Sequence, residues 1–148
     1  MCEVSDGLAY LMKAFIYALI LLFSHTATAQ EPTMKIKITL GHQIHTATLE
    51  DNPTAQALLA QLPLTLKAEN YGGIEKIAYL PQKLPDSPSH NGNFAPNAGD
   101  VTYYAPWGNL ALFHGSTNPA NGLVYLGRFD GEFKPSATAK QIRIERVE

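Results

Sequence analysis

One cysteine, Cys2, is all the thiol this 148-residue chain carries, so no intramolecular disulfide can staple it and no structural zinc site built on several thiolates can form. The fold must rest on its own apolar core. Charge of one sign is also scarce. Eleven Lys and Arg stand against 13 Asp and Glu, a net of -2, and charged residues make up only 16% of the chain. Affinity for nucleic acid comes largely from neutralised phosphates, and no basic block is present to supply it, which argues against a nucleic-acid partner. An anionic membrane surface is a poor partner for the same reason. Long apolar runs are missing as well. The longest, AFIYALILLF from Ala14 to Phe23, has ten residues, against the roughly 20 that a membrane-spanning helix needs. Internal repeats and low-complexity tracts are absent, and the length suits one globular domain with a short appendage.

That appendage lies at the N-terminus. The apolar run follows Lys13 and precedes the small residues Ala27-Thr28-Ala29, which is the order of a cleavable secretory signal peptide. A buried amphipathic helix would need a polar face, and the run offers none. Cleavage after Ala29 would release a periplasmic or secreted product without stable membrane insertion. Met12 stands directly before Lys13, whereas the residues ahead of it include Glu3 and Asp6, an atypical start for a signal. Residues 1–29 therefore read as an upstream extension plus signal peptide, with Met1 and Met12 both open as the natural start. Cys2 is far from the cleavage position, so a lipoprotein anchor is not indicated.

Residues 34–148 read as the folded domain. Lys35 to Leu40 alternates polar with apolar residues, which turns Ile36, Ile38 and Leu40 to one face of a strand. Gly41-His42 supplies a turn, and residues 43–49 return as the second strand of a hairpin. Asn52-Pro53 then announces a helix, with Asn as N-cap and Pro at the first helical position. Ala55, Leu58, Leu59 and Leu62 give it one core-facing side, and Pro63 limits its continuation. Beyond it, short strands are expected at 64–68, 75–80, 101–105, 110–114, 123–129 and 141–147. Residues 81–99 form a long Pro-rich loop, a length usually reserved for function or mobility. Many short strands favour a closed barrel, because closure removes exposed edges.

The order of these segments resembles the cyclophilin-like barrel. The resemblance runs through MKIKITLG at 34–41, PTAQALLAQLPLTL at 53–66, AYLP at 78–81, AGDVTYYAPWGNLALFHG at 98–115 and YLGRF at 125–129. Its nearest relatives would be small bacterial cyclophilin-like proteins. The resemblance implies a mostly β fold, a closed barrel of about eight strands with one clear capping helix. It does not imply an activity. In peptidyl-prolyl cis-trans isomerases of this family, an aromatic-His-Arg strand is followed by a Gln-Gly-Gly run, and its arginine stabilises the twisting amide. This chain lacks that run. Setting Pro81 on the proline after that strand places Ala78 where the arginine belongs, and Arg128, Arg143 and Arg146 all fall in the last strands. Lys76 is a poor substitute, since a mobile point charge does not copy a planar fork.

Other chemistry is weakly supported. His42 and His45 alternate across a turn and strand, so they should not converge on a metal, and no cofactor motif is present. Ser87, Ser89 and Ser116 lack a nucleophile elbow. Gly72-Gly73 reads as a turn, and Gly127-Arg128 as a close backbone approach beside an arginine paired with a carboxylate. The aromatic residues around Pro106-Trp107-Gly108 are more informative. Strand alternation separates Tyr103 from Tyr104, one into the core and one to the outside. Trp107 then either plugs a barrel end, the plainer use, or walls a groove with Tyr104. By the family resemblance Tyr79 and Phe113 lie near that groove, and His114 at a strand end joins the candidate site. The expectation is an exported binding module for a peptide segment or small-molecule ligand, with a divergent periplasmic prolyl isomerase as the alternative. A third reading is an accessory protein that offers a strand edge to an assembly.

Overall fold

The structure, a computed structural model, describes residues 34–86 and 94–148. The signal peptide and upstream extension lie outside the described residues, as do residues 87–93 of the long loop. Among the described residues, no helix is long and apolar enough to cross a membrane.

Strands β1 (Lys35–Leu40) and β2 (Gln43–Leu49) form the antiparallel hairpin that the alternation predicts, paired from Lys35 with Thr48 to Leu40 with Gln43. Helix α1 (Pro53–Gln61) follows. Its cap is built as the residue types dictate: Asn52 Oδ1 accepts from the Ala55 N–H at 2.8 Å, and Asn52 Nδ2 donates to the Tyr125 carbonyl. Ala55, Leu58 and Leu59 are buried, and Leu62, the C-cap, packs against the same core.

The remaining strands are β3 (Leu64–Lys67), β4 (Glu69–Tyr71), β5 (Glu75–Tyr79), β6 (Asp100–Tyr104), β7 (Asn109–Phe113), β8 (Leu123–Phe129) and β9 (Gln141–Arg146). They join the hairpin in one antiparallel sheet, ordered β3-β9-β1-β2-β8-β6-β7-β5-β4. Two sequence expectations need correction here. The single strand expected at 64–68 is split, giving nine strands among the described residues instead of about eight, and the sheet is open, not a closed barrel. The same stretch explains both. β3 pairs with β9 at one edge, β4 pairs with β5 at the other, and Ala68 alone stands between them. The sheet curls far enough for one short segment to serve both edges, but successive halves of one segment cannot lie side by side and pair. The hydrogen-bond ladders therefore end there. Both edge strands are very short, which limits what they expose.

The inner face of the curl holds the main core. Ile36, Ile38, Leu110, Leu112, Ile142 and Ile144 meet there with the helix leucines. Tyr103 points into it, fully buried, and its Oη accepts from the Leu84 N–H at 3.1 Å. Strand β7 is buried on both faces, because Ala111 and Phe113 enter a second apolar cluster. That cluster contains Ile77, Ala111, Phe113 and Leu123, with Ile74, Phe94 and Tyr104 packed against it. It lies on the outer face of β5, β6, β7 and β8, and it floors the candidate site.

Gly127 shows why strand β8 needs glycine. A Cβ there would stand 2.2 Å from the Thr48 carbonyl oxygen and 2.7 Å from Leu49 Cα, where β8 pairs with β2. Beside it, Arg128 pairs with Asp100 and donates to the Ala98 carbonyl, so the close approach and the carboxylate partner are both as expected.

Candidate functional site

Two tight connections bring the site together. Gly72 and Gly73 adopt positive φ values of 59° and 72°, which lets the chain reverse and sets Tyr71 of β4 opposite Glu75 of β5. Between β6 and β7 the turn Ala105-Pro106-Trp107-Gly108 is closed by the Gly108 N–H donating to the Tyr104 carbonyl at 2.9 Å. The turn presents Trp107 outward, above the outer face.

Trp107 is 46% exposed, so it does not plug an end of the sheet. It stands between two tyrosines. Tyr71 meets it edge to face, with centroids 5.3 Å apart and planes at 89°, and Tyr104 does so at 5.4 Å and 78°. Beneath these rings opens a pocket of about 230 Å³. Phe113, Ile77 and Leu123 provide its apolar floor, and Pro96, Thr117 and Asn118 reach it from the loops. These loops are tied down: the Thr117 N–H donates to the Pro96 carbonyl, and the Asn97 N–H donates to Asp100 Oδ2.

Of the five residues singled out by sequence, the structure brings Tyr104, Trp107 and Phe113 into one pocket. Tyr79 shares the outer face with Glu75 and Ile77, but it stands half-exposed outside the lining. His114 lies elsewhere, with its ring edge-on to Phe133. Burial and the Lys76 ammonium hold its imidazole below the ordinary histidine range. Lys76 itself does not line the pocket. Its Nζ is buried and donates to Asn70 Oδ1 at 2.6 Å, the Ser136 carbonyl at 2.9 Å and the Ala139 carbonyl at 3.1 Å.

Among the pocket residues that escaped the sequence reading, Tyr71, Glu75 and Asn109 matter most for its chemistry. Tyr71 and Glu75 could have been found from Gly72-Gly73, since a tight turn sets its flanking residues side by side. Asn109 carries no such signal. It is fully buried in the lining, its Nδ2 donates to the Leu110 carbonyl, and its Oδ1 has no hydrogen-bond partner. Glu75 is pushed above the ordinary carboxylate range by burial. Among the described residues, no group of three or more metal-ligating side chains is assembled.

Among the described residues, sheet, helix and outer pocket define a mostly β fold with one helix. The sequence model of the cyclophilin-like family matches residues 38–145, and the chain belongs to that family. Among solved structures, it is similar to the hypothetical protein AF2241 from Archaeoglobus fulgidus, known from a solution structure. The TM-score is 0.65 at 21% identity, over 81% of this chain and 99% of that one. At this identity the likeness concerns the fold alone. No curated protein matches the chain.

Proposed function

We propose that this chain is an exported binding module that takes a peptide segment or small ligand in the outer pocket, without prolyl isomerase chemistry. The observation that carries the proposal is the position of Trp107. An indole left 46% exposed and braced by two tyrosines over an apolar hollow is placed to cover a ligand. Export is supported by the signal-like order from Lys13 to Ala29.

Prolyl isomerisation asks for more than an apolar floor. The X-Pro bond faces a barrier of about 18 to 20 kcal/mol, and lowering it requires a fixed donor aimed at the twisting amide. With the barrel expectation withdrawn, this reading rests on where the donors are. All three arginines are engaged away from the pocket: Arg128 with Asp100, Arg143 with Thr65 and Glu145, and Arg146 with the Leu59 carbonyl. One N–H of Asn109 Nδ2 is held by the Leu110 carbonyl.

Trp107 is the only tryptophan, so its emission reports on the pocket without ambiguity. Titration with short proline-containing peptides should produce a saturable change. Emission that no peptide or small ligand alters would refute the binding reading, and catalysed isomerisation well above background would restore the isomerase alternative.

A further inference from the structure

The pocket is chemically one-sided. Its walls are the π-faces and edges of Tyr71, Trp107 and Tyr104, and among the described residues no lysine, arginine or histidine lines it. Its one carboxyl group, Glu75, has no ion-pair or hydrogen-bond partner among the described residues. At the other end of the β5–β7 pairing, where Asn109 faces Tyr79, the buried Asn109 side chain leaves Oδ1 without a donor. The Glu75 carboxyl and Asn109 Oδ1 can therefore both accept, and neither accepts a hydrogen bond from the described residues.

Each feature favours the same kind of ligand. Aromatic rings attract a cation held within about 6 Å of the ring centroid, and the attraction grows when water is excluded. A carboxylate withdrawn from water without a counter-charge is unfavourable, and an arriving cation removes that penalty. A neutral apolar ligand would fill the space and leave Glu75 uncompensated. About 230 Å³ is roughly the volume of seven or eight waters, room for a compact headgroup and its first carbons.

We infer that this pocket recognises an alkylammonium group, enclosed by Tyr71, Trp107 and Tyr104 and paired with Glu75. The inference rests on the binding reading above and names its ligand class. The same cation can be supplied by a free quaternary amine or by a lysine side chain of a peptide.

The test uses the full chain and Trp107 emission. Choline is titrated against 3,3-dimethyl-1-butanol, its neutral carbon isostere, and a lysine-containing peptide against its norleucine counterpart. Choline should bind about tenfold more tightly than the isostere. Glu75→Gln should erase most of that preference, and Tyr71→Leu, which alters an exposed ring at the sheet edge, should weaken choline without unfolding the chain. Discrimination by lysine peptides but not by choline supports the inference and identifies a peptide as the source. Equal binding of charged and neutral members in both pairs overturns the cation assignment and leaves the binding reading intact. Silence towards these ligands and towards proline peptides overturns both.

Discussion

Tyr71 ends the short edge strand β4 and stands at right angles to Trp107, its ring centroid 5.3 Å away, although the two belong to different turns of the chain. The contact couples the sheet edge to the β6–β7 turn and holds the indole over the pocket. Tyr71→Leu should shift Trp107 emission to longer wavelength, because one face of the indole gains water. Stability should fall by only about 1 kcal/mol, the scale of an exposed aromatic pair. An unchanged spectrum would show that Tyr71 does not position the indole.

Glu75 makes stability depend on pH in a direction that can be worked out. Burial raises its folded-state pKa above the ordinary value of 4.5, so the fold holds this proton more tightly than the unfolded chain does. The associated stability is fully present below about pH 4.5 and is lost as pH rises through the folded value. Glu75→Gln, which mimics the neutral form, should match the wild type in acid and exceed it near neutrality. Melting temperatures of both proteins across that range provide the check. A difference that does not vary with pH would contradict the assignment.

Lys76 holds β5 to the segment before β9 through its bonds to the Ser136 and Ala139 carbonyls. Lys76→Met keeps the bulk and removes the donor, which leaves those carbonyls and Asn70 Oδ1 short of a partner. The cost should be about 3 kcal/mol in urea denaturation, as befits bonds to a charged group. Ligand response at Trp107 should survive, because the ammonium lies outside the pocket lining. Loss of that response in a folded variant would give Lys76 a role in the site.

Gly127→Ala drives a methyl group into the Thr48 carbonyl, which it cannot avoid without moving β2 away from β8. Backbone yields less readily than a side chain, so a loss of about 3 kcal/mol is expected in chemical denaturation. A variant of wild-type stability would mean that the β2–β8 pairing is looser than the structure shows.

Much of the architecture was legible one segment at a time. Ile36, Ile38 and Leu40 declared a strand by alternation, Asn52-Pro53 declared a helix start by cap chemistry, and consecutive Tyr103 and Tyr104 had to separate across a sheet. The site was legible only in part. Tyr104, Trp107 and Phe113 lie close together in sequence around one hairpin, so their meeting could be foreseen. Tyr79 was placed near them by family resemblance, and the fold leaves it outside the lining. Glu75 and Asn109 looked like ordinary strand residues, and nothing local indicated which would lose water.

The sequence alone determined which segments become strands and where the helix begins, because side-chain period and capping are properties of neighbours along the chain. Tertiary structure decided the rest. Whether the sheet closes, how the stretch around Ala68 is shared between two edges, and which carboxylate ends beneath three aromatic rings all depend on strand partners far apart in sequence. Burial and unmet hydrogen bonding arise only once those partners meet.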